Sequence, residues 1–257
     1  MRALLWDIDG TLTKSSGAGT RALAATLHAR PQALEELRKM RLDGMTDRAI
    51  VRILLAAELG HLHVGEVPDR PAVSRSKDEA LHLAQLPIEE RLKLVRDDEI
   101  ETVLRAYLKA LEAECARGAY LTQPGVLELL PRLAAEKNLL LGLCTGNLER
   151  GAELKLSCTK LWHHFSFGGY GSDAEPRPMI VRAAWKRAQE RGATEAIVID
   201  DTPRGVLAAL DAGVKACGVA TGRHTTHDLG AHGAHMVVES FADLEKSFAL
   251  LTGPLTT

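Results

Sequence analysis

The 257-residue chain has few aromatic residues, few cysteines and little net charge, and it lacks a long apolar run. Aromatic residues make up only 4% of the sequence while Leu and Ala are abundant, which favours a helix-rich α/β protein over an all-β sandwich. A net charge of −2 indicates neither a nucleic-acid nor an anionic-membrane partner. No apolar run is long enough for a membrane-spanning helix.

The cysteines also bear on the cellular compartment. They are widely spaced and form no CxxC pair, at Cys115, Cys144, Cys158 and Cys217. Two of them lie in apolar runs typical of buried strands, so free thiols in a reducing compartment are the better interpretation. An acidic motif follows the N-terminus almost directly and leaves no room for a signal peptide. We therefore expect a cytoplasmic protein.

The chain has two regions with different sequence patterns. Between residues 14 and 118 the pattern predicts helices and no strands, with a polar loop or insertion at residues 61–76. After residue 118, strands alternate with helices, and a further apolar strand covers residues 3–6. The predicted later strands span residues 139–144, 165–169, 196–199, 216–220 and 236–238. This alternation predicts an α/β fold, a doubly wound parallel sheet, interrupted by an all-helical insertion.

Two carboxylates, Asp7 and Asp9, end the first predicted strand. Because side chains alternate along a strand, both leave it on the same side. Crowded acids repel each other unless a cation or a shared proton relieves them, and oxygen ligands of this kind suit Mg²⁺. Either carboxylate could then be a nucleophile or a general acid/base. Taken alone, an ordinary strand followed by an Asp-Gly turn explains the stretch equally well.

Two later strands also end in polar residues. Thr145, Gly146 and Asn147 join a strand to a helix, where a hydroxyl and free backbone N–H groups can bind an anion; a simple helix N-cap is the alternative. Asp200 and Asp201 follow another strand, again with helix capping as the alternative. Ligands bind at the carboxyl ends of parallel strands, so we expect these groups in one crevice with a divalent metal.

Together, the three segments resemble the haloacid dehalogenase-like phosphohydrolase superfamily. Residues 6–12 are similar to its first motif, residues 143–147 to its second and residues 199–205 to its fourth. Residues 218–222 and the helical insertion resemble its phosphoglycolate phosphatase and β-phosphoglucomutase branch. The resemblance implies a Rossmann-like hydrolase core of residues 1–13 and 119–257, with a helical cap domain of residues 14–118.

The resemblance also implies catalytic and metal-binding roles. Asp7 would attack the phosphoryl group and carry a phospho-aspartyl intermediate, while Asp9 would protonate the leaving oxygen and then activate water. Mg²⁺ would bind a carboxylate oxygen of Asp7, the backbone carbonyl of Asp9, and Asp201. Asp200 would bind the metal directly or support the direct ligands.

Phosphate binding would fall to Thr145 and to the backbone N–H of Gly146 or Asn147, again by resemblance. The family's third motif is where this sequence departs, because the usual lysine, often in Lys-Pro-x-Pro, is replaced by Glu175. Arg177 is the only nearby cation, and we hypothesise that it substitutes, although its planar fork differs from an ammonium group. A surface position for Arg177, with the lysine's role unfilled, is the alternative.

The resemblance thus implies a Mg²⁺-dependent phosphatase that hydrolyses a small phosphorylated metabolite. One alternative is a phosphosugar mutase of the β-phosphoglucomutase type, which would need a bisphosphate activator. Another is a catalytically idle module that binds a phosphorylated ligand, and the missing lysine is the one feature that favours it. The expected partner is the metabolite, with no nucleic acid and no membrane.

Overall fold

The computed structural model describes residues 1–59, 82–83 and 85–254. The polar stretch predicted at residues 61–76 lies outside the described residues. Eight strands are described: β1 Arg2–Trp6, β2 Thr13–Ser15, β3 Tyr120–Thr122, β4 Leu139–Cys144, β5 Gly168–Gly169, β6 Glu195–Asp200, β7 Lys215–Val219 and β8 Met236–Val238. Six of them form one parallel sheet in the order β5-β4-β1-β6-β7-β8. The predicted doubly wound parallel sheet is confirmed.

The first strand lies at the centre of this sheet. All five of its residues are buried, and it pairs with β4 on one side and β6 on the other. In both ladders the last pair involves Trp6, which lies opposite Leu143 of β4 and Ile199 of β6. The polar residues that follow the three strands therefore emerge at the same edge of the sheet. This register is what gathers the candidate site.

Helices pack on both faces of the sheet and in a separate group. The helices are α1 Ala18–Thr26, α2 Pro31–Lys39, α3 Asp47–Leu59, α4 Ile88–Leu94, α5 Asp97–Ala116, α6 Val126–Ala134, α7 Glu149–Cys158, α8 Arg177–Gln189, α9 Pro203–Asp211, α10 Thr226–Ala231 and α11 Leu244–Thr252. Alternate residues of β1 belong to two different apolar clusters, one on each face, with Leu4 and Trp6 in one and Ala3 and Leu5 in the other. None of the described helices is both long and apolar enough to cross a membrane.

A third apolar cluster lies within the first five helices and is formed mostly by residues 18–120. The chain enters and leaves this helical unit through β2 and β3, which pair with each other in antiparallel fashion. The expectation that residues 14–118 hold no strand is therefore wrong at β2. Its three residues, Thr13–Ser15, are too few and too polar to show the alternation that marks a strand. We propose that this pair separates the core from the cap.

Two further boundaries differ from the pattern. The strand expected at residues 165–169 is reduced to Gly168–Gly169, because Trp162–His164 form a 3₁₀ turn just before it. The sequence after Pro124-Gly125 predicts a helix that runs to about residue 137 and contains Pro131; in the structure this helix ends at Ala134, and Pro131 lies inside it. Neither change moves a residue of the candidate site.

Candidate active site

Three carboxylates meet at the carboxyl edge of the sheet. The backbone N–H of Asp7 donates to the carbonyl of Ile199 at 2.9 Å, so the aspartate follows β1 in the direction of the sheet. One carboxylate oxygen of Asp7, one of Asp200 and one of Asp201 all lie within 4.8 Å of one another, and all three residues are buried. Among the described residues this is the one group with metal-ligand geometry.

Two of these acids, Asp7 and Asp201, are buried where the ionised carboxylate is unfavourable. Burial, reinforced by the charge of Asp200 and opposed by Arg177, raises the pKa of Asp7 to about 7. Burial, together with the charges of Asp200 and Asp7, also raises the pKa of Asp201 well above its usual value, while Thr11 Oγ1 donates to it at 3.2 Å. A divalent cation would relieve this cost, and an all-oxygen donor set is what Mg²⁺ prefers. The residues present therefore fit the metal that the family implies.

Arg177 is the first residue of α8 and reaches into the acid cluster. Its Nη2 donates to Asp7 Oδ1 at 2.9 Å and to Asp200 Oδ2 at 2.6 Å, and only 9% of its side chain is exposed. The two carboxylates outweigh the cost of burial and raise the pKa of Arg177. Its Nε is buried without a hydrogen-bond partner among the described residues. A surface position for Arg177 is therefore excluded.

Glu175, which stands where the family usually has its lysine, faces a different way. Its two carboxylate oxygens each accept a 3.0 Å hydrogen bond from Arg52 Nε on α3, and its backbone carbonyl accepts one from Thr46 Oγ1 at 3.1 Å. The side chain thus ties the start of α8 to the helical unit. Glu175 therefore does not take the place of the family's lysine. The cation that reaches the acid cluster is Arg177, two residues later in the chain.

The second motif is held by its own side chains. Thr145 Oγ1 accepts hydrogen bonds from the backbone N–H of Asn147 at 3.3 Å and from its Nδ2 at 2.8 Å. The following helix, α7, begins only at Glu149 and has Leu148 at its N-cap position. The alternative that Thr145 or Asn147 caps this helix is therefore wrong. A Cβ at Gly146 would lie 2.4 Å from the carbonyl of Met45, so the backbone approaches the helical unit closely there.

Capping at the fourth motif is done by a neighbour of the two acids. Thr202 Oγ1 accepts the backbone N–H of Gly205 at 3.0 Å and is the N-cap of α9. Asp200 Oδ1 in turn accepts the N–H and the hydroxyl of Thr202, at 2.9 and 2.7 Å. Because Thr202 caps the helix, the carboxylate of Asp201 remains directed into the acid cluster.

Asp9 lies next to a lysine that the sequence analysis missed. Lys155 Nζ donates to Asp9 Oδ2 at 2.5 Å and also to Asn147 Oδ1, while Asn147 Nδ2 donates to Asp9 Oδ2 at 2.8 Å. Desolvation opposes ionisation of Asp9, but Lys155 and Asn147 hold its pKa below the usual value. Lys155 is only 3% exposed. Its place on the same face of α7 as the buried residues Ala152 and Leu156 was a usable signal.

A cavity of about 380 Å³ joins the acid cluster to the helical unit. Asp47, at the start of α3, lines it: the Asp47 N–H donates to the Gly146 carbonyl at 2.9 Å, and Asp47 Oδ2 accepts the Leu148 N–H at 2.9 Å. Burial raises the pKa of Asp47 to about 6. The sequence alone predicts Thr46 as the N-cap of the helix that follows it, and its Oγ1 does accept the N–H of Ala49 at 3.2 Å. The volume of the cavity suits a small ligand.

The family follows from a comparison with known proteins. A model of haloacid dehalogenase-like hydrolases matches residues 1–213. The chain belongs to this family. As a member of the haloacid dehalogenase-like hydrolases it is an enzyme, and its two acid pairs and second motif are the residues on which the resemblance was based.

Individual relatives agree with this assignment. The chain is 30% identical over 155 residues, 58% of its length, to a protein of Dickeya dadantii (strain 3937) named "Probable phosphatase IndB", of which the match spans 66%, just under two thirds. A hydrolase from Pseudomonas syringae has a similar fold, with 21% identity, a TM-score of 0.65 and coverage of 98% of this chain and 100% of the other. CbbY from Rhodobacter sphaeroides, solved with phosphate, matches at 21% identity and a TM-score of 0.61, covering 94% and 95%.

Proposed function

We propose that the protein is a Mg²⁺-dependent phosphatase that hydrolyses a small-molecule phosphomonoester through a phospho-aspartyl intermediate on Asp7. The observation that carries the proposal is the arrangement around this residue: two further carboxylates within 4.8 Å and a buried guanidinium 2.9 Å from its Oδ1. A nucleophile, a set of metal ligands and a cation for the phosphoryl oxygens thus meet at one end of one cavity.

The reaction proceeds in two steps, transfer of the phosphoryl group to Asp7 and its hydrolysis by water. A carboxylate oxygen of Asp7 forms a bond to phosphorus while the bond to the leaving oxygen breaks, and Asp9 in its protonated form gives that oxygen a proton and becomes a carboxylate. Asp9 then takes a proton from water, whose oxygen attacks phosphorus and releases inorganic phosphate and free Asp7. Lys155 and Asn147 hold the carboxylate of Asp9 in place for both transfers.

The remaining residues neutralise and orient the phosphoryl group, which is most of what catalysis of phosphoryl transfer requires. Thr145, the backbone N–H of Gly146 or Asn147, and Arg177 would bind its oxygens. Asp7, the backbone carbonyl of Asp9 and Asp201 would hold Mg²⁺, supported by Asp200. Bound there, the metal would supply positive charge to the phosphoryl oxygens.

The cellular location belongs to the same proposal. The four cysteines are free, and three of them, Cys115, Cys144 and Cys217, are buried. Free buried thiols are typical of a reducing compartment. This supports a cytoplasmic enzyme acting on a phosphorylated metabolite.

The test is a panel of phosphomonoesters assayed for released phosphate with Mg²⁺ and with EDTA. We expect turnover with Mg²⁺, none with EDTA, and none in Asp7→Asn, whereas Asp211→Asn at an exposed site retains activity. Acid quenching during turnover should trap one phosphoryl group on the wild-type chain. Tight ligand binding without turnover would instead indicate the idle module, and isomer interconversion without phosphate release would indicate the mutase.

A further inference from the structure

The cavity extends from the acid cluster into the helical unit, where both apolar and polar side chains line it. The residues that line it there from α1, α3 and α5 include four aliphatic side chains, Leu23, Ile50, Val51 and Leu104. These residues are 5%, 7%, 1% and 1% exposed, so they are packed in the interior of the unit and form part of the cavity wall. An apolar wall of this kind favours ligand atoms that water solvates poorly.

Charge in this part of the cavity is of one sign. Among the described lining residues on these three helices, Asp47 is the one with a carboxylate, and none has a lysine, arginine or histidine side chain. The nearest lining cation, Lys155 on α7, is already bonded to Asp9 at 2.5 Å. Two other lining cations, Lys14 and Arg223, belong to exposed residues, and Arg223 faces Asp43 at 3.7 Å. A second anionic group in this region would meet the carboxylate of Asp47 next to aliphatic carbon and the hydroxyls of Thr20 and Tyr107.

We propose that the substrate is the monophosphate of a small, neutral alcohol whose apolar arm lies against Leu23, Ile50, Val51 and Leu104. This rests on the proposed phosphatase function and narrows its substrate class. Asp47 acts in specificity: its carboxylate disfavours a second phosphate or a carboxylate on the leaving group. Bisphosphates and phosphorylated acids are therefore poor substrates.

Two substrate series measure this preference. In the first, the alcohol is lengthened from ethyl to pentyl phosphate, and each methylene that enters the apolar region should raise kcat/KM by about four-fold. In the second, the same alkyl phosphates carry a terminal carboxylate or a second phosphate. We expect these to be at least ten-fold poorer than the uncharged esters of equal length. A flat alkyl series, or charged esters that are equal or better, would overturn the proposal.

Variants locate the effect. Asp47→Asn keeps an oxygen to accept the Leu148 N–H but removes the charge, so it should reduce the discrimination against a terminal anion several-fold, measured as the ratio of kcat/KM between uncharged and charged esters of equal length. Asp98→Asn, at an exposed site on α5, is the control and should leave the discrimination unchanged. Leu104→Ala should weaken the alkyl series through KM. An unaltered discrimination in Asp47→Asn would remove Asp47 from substrate selection.

Acetyl phosphate separates failure of this inference from failure of the proposed function, because it has no long arm. Turnover of acetyl phosphate without a preference in the two series contradicts the substrate class alone. If no phosphate compound is hydrolysed, the phosphatase function fails. Calorimetric binding of alkylphosphonates and their carboxylated analogues, with Mg²⁺ present, then still measures the preference for an apolar arm, and equal affinities would overturn it.

Discussion

Arg177 Nη2 lies 2.9 Å from Asp7 Oδ1, so the cation that stands two residues after the usual lysine position touches the proposed nucleophile. We expect Arg177→Ala to lower kcat by about 10²–10³-fold, the effect typical of losing one preorganised donor to the reacting group. Arg177→Lys should recover part of the loss, since it restores charge without the planar fork. Arg182→Ala, exposed on the same helix, is the control. Steady-state kinetics of the three variants test this prediction. An unchanged kcat in Arg177→Ala would show that Arg177 has no part in catalysis.

The lysine beside Asp9 makes a separate prediction. Lys155→Met keeps the buried volume but removes the charge that lowers the pKa of Asp9. The pKa of Asp9 should therefore rise, and the limb of the pH–rate profile that reports it should move to higher pH, together with a lower kcat. Lys186→Met, exposed on α8, should leave the profile in place. An identical profile for Lys155→Met would show that Lys155 has no influence on Asp9 during turnover.

The strand ends were predictable from the sequence because each carries its signal locally. An apolar strand followed by acids or by Thr145-Gly146-Asn147 is visible without a structure, and the rule that parallel strands end at one edge brings Asp7 and Asp200 together. Contacts between side chains that are far apart in the sequence carry no such signal. Lys155 resembles any helical lysine, which is usually solvated, and only its place on the buried face of α7 distinguishes it. Asp47 reads as a residue of a helix start, and its approach to Gly146 depends on how the two units pack.

The turn after the first strand requires a residue without a side chain. Gly10 has φ +91°, and a Cβ there would lie 2.2 Å from Asp201 Oδ2. Gly213 has φ +72° and nothing within 4 Å of such a Cβ. Gly213→Ala should therefore cost only about 1–2 kcal/mol of backbone strain. Gly10→Ala should add displacement of Asp201, and thus weaker Mg²⁺ binding and lower activity.

Thermal unfolding and Mg²⁺ titrations of the two glycine variants provide the measurement. The backbone strain is common to both, so the difference between them reports the contact with Asp201. If Gly10→Ala bound Mg²⁺ as tightly as Gly213→Ala, the carboxylate of Asp201 would have no part in holding the metal.

Stability of the metal-free protein should depend on the ionisation of Asp7. Its pKa is raised to about 7 in the folded state, against ~3.9 in an unfolded chain. Between these values the folded state binds more protons, so stability falls as pH rises, by at most about 4 kcal/mol from this group. Asp7→Asn removes this dependence. Denaturant titrations give the free energy of unfolding of the wild type and of Asp7→Asn. From pH 5 to pH 9 the variant should become more stable relative to the wild type, and a constant difference between the two would contradict this prediction.

Restoring the family's lysine should impair the enzyme. Glu175 accepts two 3.0 Å hydrogen bonds from Arg52, and both side chains are only partly exposed, at 28% and 24%. Glu175→Lys would place two cations together and loosen the contact between α8 and the helical unit, while the acid cluster already has Arg177. We expect a higher KM and a lower melting temperature. Glu175→Gln, which keeps one acceptor, should fall between Glu175→Lys and the wild type. Higher activity in Glu175→Lys would mean that a lysine at position 175 supplies a function that Arg177 does not, so that Arg177 is not its substitute.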